Sequence, residues 1–137
     1  MLDRTQGLHA WLEAQFGGSD FQLRPASGDA SFRRYFRVQE DDVSYILMDA
    51  PPDKENCSSF VHVTELLLGL GLHVPEILAR NLEQGFLMLS DLGSTLYLDV
   101  LDDSNVEQHY GDALSALMVL QATCDPDGLT EYDRPML

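Results

Sequence analysis

Apolar positions recur in this chain with two alternating periods, and the alternation lays out the elements. Over residues 3–16, Leu8, Trp11, Leu12 and Phe16 fall at helical spacing, Asp3 with Gln6 supplies an N-terminal cap pair, and Gly17-Gly18 stops the run. An amphipathic helix packed on another element is predicted there. Phe21-Gln22-Leu23-Arg24 then alternates with strand period, and Pro25-Ala26-Ser27-Gly28-Asp29-Ala30-Ser31 is a run of small residues suited to a tight turn. Strand character returns over 32–38 and again over 44–50, with Glu40-Asp41-Asp42 as the polar turn between them and Pro51-Pro52 closing the second. Three strands in succession predict an antiparallel meander.

Further on, Phe60, Val61, Leu66, Leu67, Leu68 and Leu70 predict a second helix over 58–70, with Gly71 as its left-handed cap. Pro75 leads into Ile77-Leu78-Ala79-Arg80, an expected edge strand, and Gly85-Phe86-Leu87-Met88-Leu89-Ser90 reads as a buried one. Ser90-Asp91-Leu92-Gly93 breaks the pattern. The clearest helical period occupies 104–123, where Ser104 and Glu107 form a capping box ahead of Ala113, Leu114, Leu117, Met118 and Gln121. No internal repeat interrupts this order, and its mixture of strands and helices predicts an α+β arrangement.

The 137 residues are 45 % hydrophobic and 23 % charged, ordinary values that leave enough apolar material for a core. Eight Lys plus Arg stand against 23 Asp plus Glu, a net charge of -15. Such a surface repels a nucleic-acid duplex and an anionic leaflet alike, so neither is expected as a partner. No run approaches the roughly 20 apolar residues of a membrane span, and Met-Leu-Asp-Arg is unlike a signal peptide, so a cytoplasmic location is expected. Cys57 and Cys124 lie far apart without CxxC or paired-His spacing and are expected to be free thiols. His9, His62, His73 and His109 share no ligand spacing and read as structural or exposed.

Three of the eight positive charges, Arg33, Arg34 and Arg37, crowd into one short strand of an acidic chain. Just before them, Ser27-Gly28-Asp29-Ala30-Ser31 has the composition of a phosphate cradle: small residues admit backbone N–H groups, serine hydroxyls add donors, and arginine offers a planar fork. The same residues also describe a plain hairpin turn with solvated arginines, since no GxGxxG or Walker sequence is present. Asp49, closing an apolar strand, either faces a cleft or caps the turn at Pro51-Pro52. Asp99, Asp102 and Asp103 read as a solvated approach to a helix or as carboxylates meeting a polar substrate. No Ser-His-Asp, Cys-His or paired-carboxylate arrangement follows from the spacing.

The order strand, small-residue loop, strand, strand, helix, Val-Pro-linked strand, strand, linker, helix resembles the N-terminal lobe of the kinase-like fold, in its aminoglycoside phosphotransferase and choline kinase branch. Four ordered motifs narrow this: Ser27 through Arg37, Met48-Asp49-Ala50-Pro51-Pro52, His73-Val74-Pro75-Glu76-Ile77-Leu78, and Leu87-Met88-Leu89-Ser90-Asp91-Leu92-Gly93 followed by Tyr97-Leu98-Asp99-Val100-Leu101. Together they resemble bacterial cytosolic kinases that phosphorylate the anomeric hydroxyl of N-acetylmuramate or N-acetylglucosamine in cell-wall recycling. The likeness spans nearly the whole chain. It implies a twisted antiparallel sheet of about five strands with a packed helix over 1–92, then the hinge exit, linker and first helix of an incomplete C-terminal lobe over 93–137. It also implies that Ser27, Gly28, Asp29, Ala30 and Ser31 lie over the ATP phosphates, with Arg33, Arg34 and Asp49 nearby. Ser90, Asp91 and Leu92 would be the hinge, with the backbone of Asp91 and Leu92 on the adenine edge and Leu89 lining the base pocket.

Two features depart from that pattern. Most kinases carry on their third strand a Lys that holds the phosphates and pairs with a Glu of the next helix. Here the stretch is Leu47-Met48-Asp49, and the only lysine, Lys54, follows two prolines; Arg33 or Arg34 is expected to supply the cation instead. The catalytic Asp and the Mg²⁺ ligands of such transferases come after the helix at 104–123, and residues 125–137 hold no His-x-Asp pattern. The expectation is a nucleotide-binding lobe whose partners are ATP and an amino sugar, with no catalytic or metal-binding residue in this chain and no phosphate transfer by it alone. An uncovered stripe of Leu114, Leu117 and Met118 would favour self-association. An aminoglycoside or choline acceptor would keep the same fold. A non-catalytic nucleotide-binding or regulatory lobe is the rival from another class, favoured by the missing lysine and opposed by the retained loop and hinge.

Overall fold

The computed structural model describes residues 3–28, 31–129 and 131. The first element, α1 (Arg4–Phe16), begins at the predicted cap pair, where Gln6 Oε1 accepts the Asp3 backbone N–H at 3.2 Å, and ends at Gly17 in the left-handed conformation. Strands β1 (Gln22–Gly28), β2 (Arg34–Glu40) and β3 (Val43–Asp49) follow as an antiparallel meander. After α2 (Cys57–Gly69), β4 (Ile77–Asn81) and β5 (Phe86–Ser90) complete an open five-stranded antiparallel sheet in the order β1-β2-β3-β5-β4. The fold is α+β, with the sheet and helices expected of a kinase-like N-terminal lobe.

Period-two alternation sends successive strand residues to opposite faces, and each face is covered by a helix. Leu8 and Leu12 of α1 pack on Val38, Leu47 and Phe86, with Trp11, Phe16, Phe36 and Tyr45 around them. On the other face Cys57 and Val61 of α2 pack on Met48, Leu87 and Leu89, with Tyr35, Ile46 and Ile77 partly buried beside them. Coverage on both sides is why β3 and β5 read as nearly continuous apolar runs rather than as alternating ones.

Two local expectations are corrected. Pro25 does not open a turn: β1 continues through it to Gly28, pairing Ser27 with Tyr35 and Gly28 with Arg34 past an irregularity between Pro25 and Ser27. An edge strand tolerates this, because the N–H that proline lacks needs no partner on the open side and a bulge absorbs the extra residue. Ser104 is not a helix cap either. Its hydroxyl and backbone N–H both donate to Asp102, so the helix starts one turn-residue later, with Asn105 at the cap position of α4 (Val106–Thr123). A short α3 (Tyr97–Val100), not anticipated, precedes it.

The chain forms two compact units, Met1–Thr64 with Val74–Gly93, and Glu65–His73 with Ser94–Leu137. The first holds the whole sheet. In the second, the end of α2 closes in a Schellman motif: Leu72 N–H reaches Leu67 O at 3.2 Å, Gly71 N–H reaches Leu68 O at 2.9 Å, and Gly71 has φ 76°. No residue of α4 is buried, and Leu114, Leu117 and Met118 are exposed.

Candidate functional site

The arginines crowded at the start of β2 are sorted by strand alternation onto the two faces of the sheet, and each meets a different carboxylate. Arg34 turns to the α1 face. There its Nε lies 2.9 Å from Asp49 Oδ2, and its terminal nitrogen bonds the same oxygen. Arg4, from the first turn of α1, donates Nε to the other oxygen at 2.7 Å and a terminal nitrogen to Gln84 O at 2.8 Å. Asp49 is 0 % exposed, so its charge is held by two guanidinium groups and by nothing in solvent. This settles which way the Asp49 side chain points: inward, as the anchor of α1.

Arg33 goes to the opposite side. Its Nε lies 3.1 Å from Glu55 Oε2, and its guanidinium stands 5.7 Å over the Phe60 ring of α2. The Arg33 backbone N–H donates to Ser31 Oγ at 3.2 Å, so the main chain at Arg33 is tied to Ser31. A quarter of the Arg33 side chain remains exposed, enough for a ligand to reach the fork.

Arg37, two residues along on the same face as Tyr35, grips Asp91 with Nε at 2.6 Å and a terminal nitrogen at 3.1 Å. Ser44 Oγ donates to Asp91 at 2.8 Å and the Gly93 N–H at 2.9 Å. Arg37, with smaller help from the Gly93 amide and the Ser44 hydroxyl, outweighs burial and holds the Asp91 carboxyl at about 2, below its ordinary 3.8. A carboxyl with a folded pKa below its unfolded one stabilises the fold fully above the unfolded value and loses that contribution as pH falls through the folded one. Stability is therefore expected to climb between pH 2 and 4 in the wild-type chain and to climb less in Asp91→Asn. Urea unfolding at a series of pH values measures this, and parallel curves would refute it.

The other candidates are placed as follows. Ser27 and Gly28 form the end of edge strand β1, while Asp29 and Ala30 lie outside the described residues. Leu89 is buried in the α2-side core. Ser90 is the last registered residue of β5, its N–H bonding Glu76 O at 2.9 Å and its hydroxyl accepting the Glu76 N–H at 2.8 Å. Asp91 and Leu92 lie beyond the registered pairs on both sides of β5. The structure thus brings Arg33 and Ser31 together, and Asp91 with Gly93, but puts Arg34 and Asp49 on the far face from Arg33.

The chain matches the phosphotransferase enzyme family (APH) over residues 22–137. It belongs to that family. Relatives of this chain include a protein named N-acetylmuramate/N-acetylglucosamine kinase from Pseudomonas aeruginosa, 53 % identical over 98 % of this chain and 43 % of that protein. Others with the same name come from Pseudomonas putida, 44 % identical over 94 % of this chain and 37 % of that one, and from Neisseria meningitidis, 36 % identical over 97 % and 41 %. The chain spans about two fifths of the length of these curated relatives.

Elsewhere in the chain, carboxylates that the sequence offered to a polar substrate are tied up locally. Asp99 accepts the Leu96 N–H at 3.0 Å, and Asp102 accepts the backbone N–H groups of Ser104 and Asn105. Both Cys57 and Cys124 are free thiols, and burial pushes the Cys57 thiol up, away from reactivity. Among the described residues no group of three or more His, Cys, Asp or Glu is placed to hold a metal, and no helix is long and apolar enough to cross a membrane. Three residues of these clusters had no signal in the sequence that would single them out: Arg4, Glu55 and Ser44. Arg37 was visible with Arg33 and Arg34 in the local charge density, but its partner is 54 residues away.

Proposed function

We propose that this chain supplies, over residues 1–92, the ATP-binding lobe of a kinase that phosphorylates the anomeric hydroxyl of N-acetylmuramate or N-acetylglucosamine in cell-wall recycling. The observation that carries the reading is the Arg33–Glu55 pair, set on the α2 face beside the loop at 27–31. A kinase-like lobe needs a cation there that a carboxylate holds in line for the phosphates. Met48 of β3 is fully buried and carries no charge, so the cation comes from Arg33, immediately before the neighbouring strand β2. The names of the relatives support the acceptor.

In this reading the Arg33 fork engages phosphate oxygens, Glu55 keeps it oriented before the ligand arrives, and Ser27, Gly28 and Ser31 border the phosphate tail. The main chain of Asp91 and Leu92, uncommitted to a neighbouring strand, takes the adenine edge above the buried Leu89. Arg34 and Asp49 hold α1 on the sheet and reach the nucleotide only through the geometry of β2 and β3. The Mg²⁺ that the family implies finds no donor cluster among the described residues, and no role in this chain is assigned to it.

Calorimetric titration with ATP and ADP tests the lobe. Binding is expected, and Arg33→Met should weaken it about 10- to 100-fold, the worth of one charge-assisted fork on phosphate, while Arg34→Met should change it little. Absence of binding by the wild-type chain would end the reading. The acceptor is tested by offering amino sugars, an aminoglycoside and choline to the whole gene product with ATP; a sugar 1-phosphate is the expected product.

A further inference from the structure

The Asp91 carboxylate has about four lone-pair positions, and four donors occupy them: two nitrogens of Arg37, the Ser44 hydroxyl and the Gly93 N–H. Its side chain is 4 % exposed. A carboxylate so saturated has no capacity left for a ligand, and its effect must pass through the main chain that it holds. The register explains how the donors converge. Tyr45 is the last residue of β3 opposite β5, paired with Ser90, so Ser44 and Asp91 are the next step along both strands and share the α2 face. Arg37 lies opposite Ile46 on that same face, one strand further over. Gly93, at φ 87°, turns the chain immediately afterwards and returns its N–H to the carboxylate.

We propose that Asp91 is a positioning residue: gripped by Arg37 and Ser44, it fixes the main chain of residues 91–93 in one conformation before nucleotide arrives, and ties that segment to β2. The inference rests on the nucleotide reading above, in which the backbone of Asp91 and Leu92 meets the adenine. Among the described residues no strand pairs with the chain beyond Ser90, so without the carboxylate each binding event would have to order residues 91–93 afresh. Arg33 immediately precedes β2, so that strand and its entry would hold both ends of the nucleotide, the phosphates through Arg33 and the base through Arg37 and Asp91.

Amide hydrogen exchange and calorimetry on Asp91→Asn, Arg37→Met and Ser44→Ala test this. Asp91→Asn is expected to speed exchange at Leu92 and Gly93 at least tenfold, weaken ATP about tenfold and leave inorganic tripolyphosphate affinity unchanged, because only the base half of the site is disturbed. Arg37→Met should act in the same direction. Ser44→Ala, which removes one bond and no charge, should give about threefold effects and keeps the test open if a charge variant fails to fold. Unchanged exchange at Leu92 and Gly93, or an equal loss of ATP and tripolyphosphate, would overturn the proposal. A wild-type chain that binds no ATP would overturn the nucleotide reading together with it, whereas wild-type binding matched by Asp91→Asn would overturn the positioning role alone.

Discussion

Replacing both arginines that hold Asp49, as Arg4→Met with Arg34→Met, is expected to lower stability by about 3–5 kcal/mol, the usual consequence of leaving a buried charge without its partners. Asp49 is fully buried, and among the described residues its carboxylate oxygens accept from these two side chains. Methionine keeps an apolar stem and removes the guanidinium, which stands 4.9 Å over the Phe86 ring at Arg4 and 5.6 Å over the Phe36 ring at Arg34, so a cation–π contact goes with the charge. Either single variant should cost much less than half of the double, because the remaining guanidinium still compensates the carboxylate. Arg34 is half exposed, so its own release into water is cheap. Urea unfolding of the wild type, both singles and the double completes the cycle, and strictly additive losses would refute the shared role.

The second large effect is expected at Gly85. Its carbonyl accepts the Ala50 N–H at 2.8 Å where β3 leaves the sheet, with φ at 74°. A Cβ built there would lie 1.9 Å from Ala50 O and 3.2 Å from Pro52 Cδ, so backbone must move, and Phe86 next to it is core. Gly85→Ala should therefore cost about 3 kcal/mol or more, combining the left-handed penalty with a collision that no side-chain rotation relieves. Gly17 supplies the control. It has a similar φ of 61° but open space around it, and Gly17→Ala should show the conformational cost alone, about 1–2 kcal/mol. Thermal or urea unfolding of the two variants separates the components; equal losses would show that the collision is absorbed.

Much of the fold was legible because its signals are local. The cap pair at Asp3 and Gln6, the glycine stops at Gly17 and Gly71, and the apolar periods of α1, α2 and β5 each depend on residues a few positions apart. The misreadings came where a neighbour in space overrode a local preference. Pro25 looks like a turn residue until β1 is known to be an edge, and Ser104 looks like a cap until Asp102 captures it. The site was legible only in part for the same reason. A density of arginine in β2 was visible, but alternation had to be combined with α1, the β3–α2 loop and the end of β5 before Arg34, Arg33 and Arg37 could be told apart. Pairings across 22 to 54 residues leave no trace in spacing.

Arg33, just before β2, and Arg34 and Arg37 within it couple the register of the sheet to its ion pairs. A slip of one position would carry Arg33 and Arg37 to the α1 side and Arg34 to the α2 side, exchanging all three at once. Asp49 would then be enclosed with Arg4 as its only counterion, Glu55 and Asp91 would lose theirs, and Phe36 and Val38 would leave their own core for the other. Misaligned hairpins are thus penalised through charge and apolar burial together, so this strand can seat itself only one way.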